Sequence, residues 1–277
     1  MRVFVQDRAA DFDAAARTFL LLDEANHTFL LNRLARGDQD PERGPWWSTT
    51  VHDGERLVAC AARDRQAVFL TNCPEQAWAA LAEILRSCAW LEHVIGPQSA
   101  AQGVVDALAR SWRLHVDLPL LQLTRAPDAG ESPAQGALAR ARAEDDSLLM
   151  AWGLAFHDEA AMADARGNVA PQMRRRREVG ELYLWLDVDR RPVCLAGGFL
   201  IPPSGARIAP VYTPPELRRR GYARALVAAL SRELQSRGAR SVYLFTDARN
   251  PTANALYRRI GYMPCGRHLH LTFATAA

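Results

Sequence analysis

One succession of short elements occurs twice along this chain, and that repetition restricts the fold more than any single motif does. On the C-terminal side, apolar spacing predicts a strand at 137–142, a helix at 145–156 with Leu148, Leu149, Trp152 and Phe156 on its apolar positions, and a second helix within 168–178. Strands follow at 181–188 and 192–201 around the turn Asp189-Arg190-Arg191, then another at 207–212. The clearest helix runs over 222–237, with Tyr222, Leu226, Leu230 and Leu234 at i, i+4 spacing and Gly238 as its stop. A strand at 241–246, a helix at 251–260 and a final strand or strand pair at 262–273 complete the series. The N-terminal side reads as a fainter copy: helices at 11–22 and 28–36, strands at 46–51, 56–62 and 67–71, a helix at 74–88, a strand at 93–96, a helix at 100–112 and a strand at 118–125. Between the copies, 126–136 collects Pro, Gly, Ser and Asp with no apolar period, as a linker does. Two lobes of one α/β architecture are expected, 1–125 and 137–277, joined by that linker.

The length of 277 residues allows one large domain or two small ones at roughly 150 residues each. With 49% hydrophobic and 23% charged residues, either arrangement buries a real core, so fibrous and disordered classes drop out. No apolar run approaches the roughly 20 residues that span a bilayer, so no membrane role is expected. The opening residues meet Asp7 before any long apolar stretch, so no secretion leader is legible and the expected location is cytoplasmic. Cys60, Cys73, Cys88, Cys194 and Cys265 are widely spaced with no C-x-x-C pair, which points to reduced, structural thiols. All 34 basic residues are arginine, so mechanisms that need a P-loop lysine, a Schiff-base lysine or a Ser-Lys dyad are excluded.

Charge divides unevenly. Residues 1–125 carry 13 Arg against 16 acids, whereas 126–277 carry 21 Arg against 15, which points to an anionic partner for the second lobe. The arginines gather in two runs rather than along a stripe with interleaved aromatics, so nucleic acid is not the expected partner. The run at 174–177 lies in a polar helical stretch and reads as a solvated face. The run at 218–220 stands beside Gly221.

There a strand ending in Ile208-Ala209-Pro210-Val211-Tyr212-Thr213 runs into a glycine-bearing loop that opens the long helix. Such a helix N-terminus offers several amides without intrahelical partners, and the helix dipole favours a phosphate or diphosphate in front of them. Gly221 and Ala223 keep side chains out of the way, while Arg218, Arg219, Arg220 and Arg224 add bidentate donors. The spacing fits neither G-x-G-x-x-G nor G-x-x-x-x-G-K-[ST]. Downstream, Asn250 before Pro251 is a self-sufficient helix start, and Tyr257 shares an apolar face with Ala253, Leu256 and Ile260.

The segment resembles the coenzyme A signature of the GNAT superfamily of N-acyltransferases, whose diphosphate loop reads R/Q-x-x-G-x-G/A after the fourth strand. Arg218-Arg219-Arg220-Gly221-Tyr222-Ala223 is similar to it, and the stretch from Asn250 to Tyr262 resembles the family's N-x-x-A-x-x-L-Y-x-x-x-G-F/Y. The resemblance implies an α/β (α+β) GNAT fold: a mixed, mostly antiparallel sheet with flanking helices, complete in the second lobe and degenerate in the first. It further implies acetyl-CoA as acyl donor and no metal. The fourth and fifth strands would splay so that the backbone of Val211 and Thr213, flanking Tyr212, pairs with the pantetheine arm. Amides from Arg219 to Arg224, with Arg218 alongside, would hold the diphosphate. Asn250, Ala253 and Asn254 would contact the same cofactor, and Tyr257 would protonate the departing thiolate.

Acyl transfer to an amine also needs a base. Some relatives carry a glutamate on the fourth strand, but 207–212 holds no carboxylate. Glu159, at the end of the second lobe's first helix, is the candidate, with Asp247 and a water chain as alternatives. His268 and His270 alternate on the last strand and share one face, and without a third ligand they read as polar sheet surface rather than a metal site. In the first lobe the equivalent loop, Leu70 to Trp78, has neither glycine nor arginine and is not expected to bind coenzyme A. The expected activity is acetyl-CoA-dependent N-acetylation of a small-molecule or peptide-like amine by a monomer or homodimer. The alternative is a catalytically silent acyl-CoA sensor with a protein partner.

Overall fold

A computed structural model describes residues 1–38, 43–127, 134–160 and 166–273. Half of the expected linker, 128–133, lies outside the described residues. The elements run β1 (Arg2–Gln6), α1 (Ala9–Leu21), α2 (Thr28–Arg36), β2 (Ser48–Asp53), β3 (Arg56–Asp64), β4 (Ala67–Leu70), α3 (Trp78–Arg86), β5 (His93–Pro97), α4 (Gln98–Leu108) and β6 (Trp112–Leu123). They continue with β7 (Ala137–Arg140), α5 (Asp146–Glu159), α6 (Val169–Glu178), β8 (Leu182–Leu186), β9 (Pro192–Ile201), β10 (Gly205–Tyr212), α7 (Tyr222–Ser236), β11 (Ser241–Phe245), α8 (Pro251–Ile260) and β12 (Met263–Phe273). With β1 included, the order β-α-α-β-β-β-α-β-α-β occurs in full on both sides of the linker.

Contacts group the described residues of Met1–Leu121, Phe245–Pro251 and Pro264–Ala277 into one compact unit, and those of Gln122–Leu244 and Thr252–Met263 into a second. The units therefore do not follow the chain-order boundary expected at 126–136, because the chain returns to the first unit for its last strand. In the first unit the strand order is β1-β2-β3-β4-β5-β12-β6. β4 and β5 are paired in parallel, β1–β2, β2–β3 and β3–β4 are antiparallel, and β12 lies antiparallel to β5 with Leu269 opposite Gly96. Leu269, Leu271 and Phe273 from β12 close the core that Val51, Val68, Leu81, Leu85, Val94 and Val104 build beneath α3 and α4.

The second unit has the order β11-β10-β9-β8-β7, antiparallel except for β10 with β11. Both of its faces are covered, and two glycines on β9 show how. A Cβ on Gly197 would stand 2.3 Å from Arg176 Nη2 on α6, and one on Gly198 would stand 3.0 Å from Leu230 on α7. Consecutive strand residues face opposite sides, so α6 and α7 cover opposite faces at close approach. Leu149, Met173, Leu182, Leu184 and Leu195 form the core on the α5–α6 side.

The 174–177 run is not wholly a solvated face: Arg176 donates to the Ala209 carbonyl at 2.6 Å, and Arg177 pairs with Asp146 at 2.8 Å. Of the four arginines in the run, Arg174 alone is exposed. An arginine stem passes along apolar surface while its guanidinium finds fixed acceptors, so polarity alone does not place it in solvent.

Candidate active site

Strand β10 positions the site by separating from its neighbour. Its parallel pairing with β11 covers only Gly205–Arg207 against Ser241–Tyr243, and a register shift on the β9 side falls between Ile208 and Val211. From Ile208 to Tyr212 the strand continues without β11, which leaves an open edge where an extended ligand can pair. That edge holds Val211 and Tyr212 and leads to Thr213.

The chain then turns through Pro215–Leu217 into α7. Arg219 has φ 62 and Gly221 has φ 85, so two residues of this loop are left-handed, one of them not glycine. Gly221 caps α7 without a side chain, and the first helical bond of the cap runs from the Ala225 amide to the Gly221 carbonyl at 3.0 Å. The amides of Tyr222, Ala223 and Arg224 thus open the helix with no intrahelical acceptor. Arg218, Arg219 and Arg220 are exposed around them, and Arg220 touches the Glu216 carbonyl at 3.3 Å. A strained turn, open amides and clustered guanidinium groups fit a diphosphate.

The structure brings Glu159 and Arg218 together. Arg218 Nη2 donates to both carboxylate oxygens, at 2.8 and 2.6 Å, while its Nε donates to the Thr213 carbonyl at 2.9 Å. The Tyr212 hydroxyl reaches the same carboxylate at 3.5 Å, and Trp152 stands 6.3 Å from the Tyr212 ring. Burial, followed by the Glu159 charge, raises the Tyr212 phenol, so it stays a donor. The end of α5 is therefore tied by one ion pair to the loop between β10 and α7. The carboxylate expected as base is thus occupied by a guanidinium.

Tyr257, 8% exposed on α8, faces the same unit's core, with its ring 6.0 Å from Tyr262. Tyr262 gives its hydroxyl to Ser231 at 2.8 Å, whereas the Tyr257 hydroxyl has no hydrogen-bond partner among the described residues. Burial pushes the Tyr257 phenol well above its ordinary range, and the nearby Cys194 adds to the shift. Cys194 itself, on β9, is a neighbour that sequence reasoning placed only among structural thiols. Its Sγ lies 3.1 Å from both the Tyr212 carbonyl and Thr213 Oγ1, and burial raises its thiol to about 12. It remains a neutral thiol that pins the end of β10.

Ala253 and Asn254 lie half-buried on α8, while Asn250 precedes the helix and belongs with the first unit, its amide bonded to the Asp247 carbonyl at 2.9 Å. Asp247 accepts from Arg249, whose bonds outweigh the effect of burial and hold the carboxyl below its ordinary range. That makes it a poor base. His270 has aromatic neighbours that spacing on one strand could not reveal: His93 on β5 at 5.0 Å and His115 on β6 at 4.6 Å. No group of three or more His, Cys, Asp or Glu among the described residues is arranged to hold a metal ion.

A mixed sheet whose strands part beside the N-terminus of a helix with open amides is the arrangement of a GNAT-type lobe, and the same element series is repeated once more in the chain. Residues 143–262 match the model described as "Acetyltransferase (GNAT) family", so this stretch is a GNAT-family domain, from a family that uses acetyl-CoA as a cosubstrate. No curated protein matches the sequence. Among solved structures, a Drosophila protein is 15% identical over 98% of each chain, with a TM-score of 0.72. A GNAT-family acetyltransferase from Colwellia psychrerythraea is 12% identical over 99% of this chain and 100% of its own, with a TM-score of 0.63. A tandem GNAT protein from the clavulanic acid biosynthesis pathway is also 12% identical, over 100% of both chains, with a TM-score of 0.63. At these identities the likeness is one of fold, and it extends across both lobes.

Proposed function

We propose that the chain is an acetyl-CoA-dependent N-acetyltransferase that acts on a primary amine of a small-molecule or peptide-like acceptor, with 137–277 as its catalytic lobe and 1–125 as a degenerate one. The observation that carries this reading is the parting of β10 from β11 after Arg207 and Tyr243, directly upstream of the open amides of α7. The backbone of Val211 and Thr213 lies along the pantetheine path, and the amides from Arg219 to Arg224, with the exposed Arg218, Arg219 and Arg220, take the diphosphate. Ala253 and Asn254 line the arm on the α8 side.

Bound acetyl-CoA supplies an activated acyl carbon. A neutral amine attacks it, the new N–C bond forms as the C–S bond breaks, and one proton leaves nitrogen while another reaches sulfur. A β10 amide near Val211 to Thr213 donates to the developing oxyanion. Tyr257 keeps its proton at physiological pH and has a hydroxyl without another partner, which suits it to meet the thiolate. Glu159 takes the amine proton once Arg218 leaves it, and the diphosphate, a stronger acceptor for a guanidinium, is what draws Arg218 away.

The test is product formation. The full chain is incubated with acetyl-CoA and a panel of primary amines and peptide N-termini, and acetylated products are read by mass spectrometry. Transfer to at least one class of amine is expected. Tight acetyl-CoA binding without transfer to any acceptor would replace the enzyme with a sensor. A pH–rate profile of Glu159→Ala then assigns the base: loss of the acid limb is expected, and its persistence moves proton removal to a water chain.

A further inference from the structure

The first unit contains a groove of about 660 Å³ that carries chemistry of its own. It opens where the turn between α1 and α2 meets β3 and the chain leaving β4. Phe19, Leu22, Leu57 and Val58 provide apolar wall, and the polar lining is Asp23, His27, Asp53, Arg56, Asn72 and Gln76, two carboxylates against one guanidinium. In the element series these positions correspond to the ends of α5 and β10 in the second unit.

His27 is 2% exposed, and Phe19 stacks on its ring at 5.5 Å. Its Nδ1 lies 3.0 Å from the Leu20 carbonyl, which can only accept, so the ring hydrogen sits on Nδ1 and Nε2 is a bare acceptor. Burial keeps the ring neutral. Nε2 meets no partner among the described residues. A buried acceptor left in that state calls for a donor from outside the chain. Asp23 is engaged only by neutral donors: the Asn26 amide at 3.2 Å, the Asn26 side chain at 2.9 Å and the Asn72 side chain at 3.0 Å. No arginine pairs with it among the described residues. Its negative charge is thus available in a groove of small-molecule size.

We propose that this groove binds a small organic ammonium, with the cationic nitrogen beside Asp23, a donor directed to His27 Nε2, and an apolar body against Phe19, Leu57 and Val58. The excess of acids over arginines in 1–125 favours a cation, and the absence of glycine and arginine from 70–78 disfavours a polyanion such as coenzyme A. The site is independent of acyl transfer in the second unit.

The probe is 2-phenylethylamine, titrated into the full chain without acetyl-CoA. Binding is followed by the 15N signal of His27 Nε2, assigned by its loss in His27→Asn. Saturable movement of that signal is expected, with a dissociation constant of about 1 mM or lower. The charge-reversed 3-phenylpropanoate should leave it in place. Calorimetry should show binding weakened about fivefold or more in Asp23→Asn, which keeps the oxygen acceptor and removes the charge, and in His27→Asn, which keeps the donor to Leu20 and removes Nε2. An unmoved His27 signal, equal binding of the carboxylate, or wild-type affinity in both variants would overturn the site. Because the His27 signal is read on the wild-type chain, a variant that failed to fold would still leave the test decisive, and acetylation in the second unit is scored separately.

Discussion

Tyr257 illustrates how its surroundings decide what chemistry a side chain can offer. On a bare helix face it is packing material, since Ala253, Leu256 and Ile260 share that face. In the fold its ring is buried, its hydroxyl lacks a partner among the described residues, and the desolvation that raises its phenol keeps the proton on oxygen across physiological pH. Tyr257→Phe therefore removes a proton donor without stranding any hydrogen bond. We expect kcat to fall about 100-fold while the KM for acetyl-CoA and the melting temperature stay near wild type. Steady-state kinetics check this, and unchanged turnover would remove Tyr257 from the acid role. Glu159 makes the opposite point, because the sequence names it as a candidate and gives no sign of the ion pair that holds it. Nothing in the sequence around residue 159 announces that Arg218, 59 positions later, holds both of its oxygens. Cys194 was invisible for the same reason: a lone thiol on a predicted strand gives no sign that it will meet the Tyr212 carbonyl.

At the scale of elements, the loop into α7 stores conformation that only part of its sequence advertises. Gly221 signals a left-handed residue, whereas Arg219, at φ 62, does not. If the backbone amides do the anion binding, the two positions should respond differently. Arg219→Gly permits the same turn, so the melting temperature should hold or rise and the KM for acetyl-CoA should rise only about threefold, the effect of one lost exposed charge. Gly221→Val forces a β-branched residue into a left-handed cap and moves the amides, so that KM should rise more than about tenfold. Kinetics on the two variants decide between backbone and side chain, and the reverse order would assign the anion to the guanidinium groups. Elements with strong apolar periods and clear stops were the legible ones: the helix expected at 222–237 is Tyr222–Ser236, and that at 251–260 is Pro251–Ile260. The helix expected at 100–112 instead ends at Leu108, because Ala109 takes a left-handed C-cap that glycine would ordinarily announce, and Trp112 begins β6. Strand β1 left no apolar stripe to read, since Phe4 and Val5 are both about half exposed on it.

For the whole molecule, the repeated element order leads one to expect two self-contained lobes, and the course of the last strand departs from that. Pairing partners of a strand are set by long-range geometry, and β12 pairs with β5 across more than 170 positions of sequence, with His270 opposite Ile95. One consequence is a pH dependence of the first unit. Burial, with His115 and His93 nearby, lowers His270 to about 3. The unfolded chain takes up this proton near its ordinary value of 6.5, so the stabilisation is complete above that pH and is lost as pH falls towards 3, at about 1.4 kcal/mol per pH unit. His270→Leu should flatten the fall in melting temperature between about pH 6 and pH 4.5, and a slope identical to wild type would show that the ring titrates freely in the fold. A second consequence concerns truncation. Removing 263–277 deletes none of the residues assigned to coenzyme A, yet it strips β5 of a neighbour and takes Leu269, Leu271 and Phe273 out of the core beneath α3 and α4. Loss of three such side chains costs several kcal/mol, a large part of a typical domain's stability, and leaves an unpaired strand edge. We therefore expect the truncated chain to lose hydrogen-exchange protection first in β4, β5, α3 and α4, although the deletion is at the far end of the sequence. Exchange mass spectrometry on the truncated chain checks this, and protection lost first in β8 to β10 would mean that the last strand serves the second unit instead.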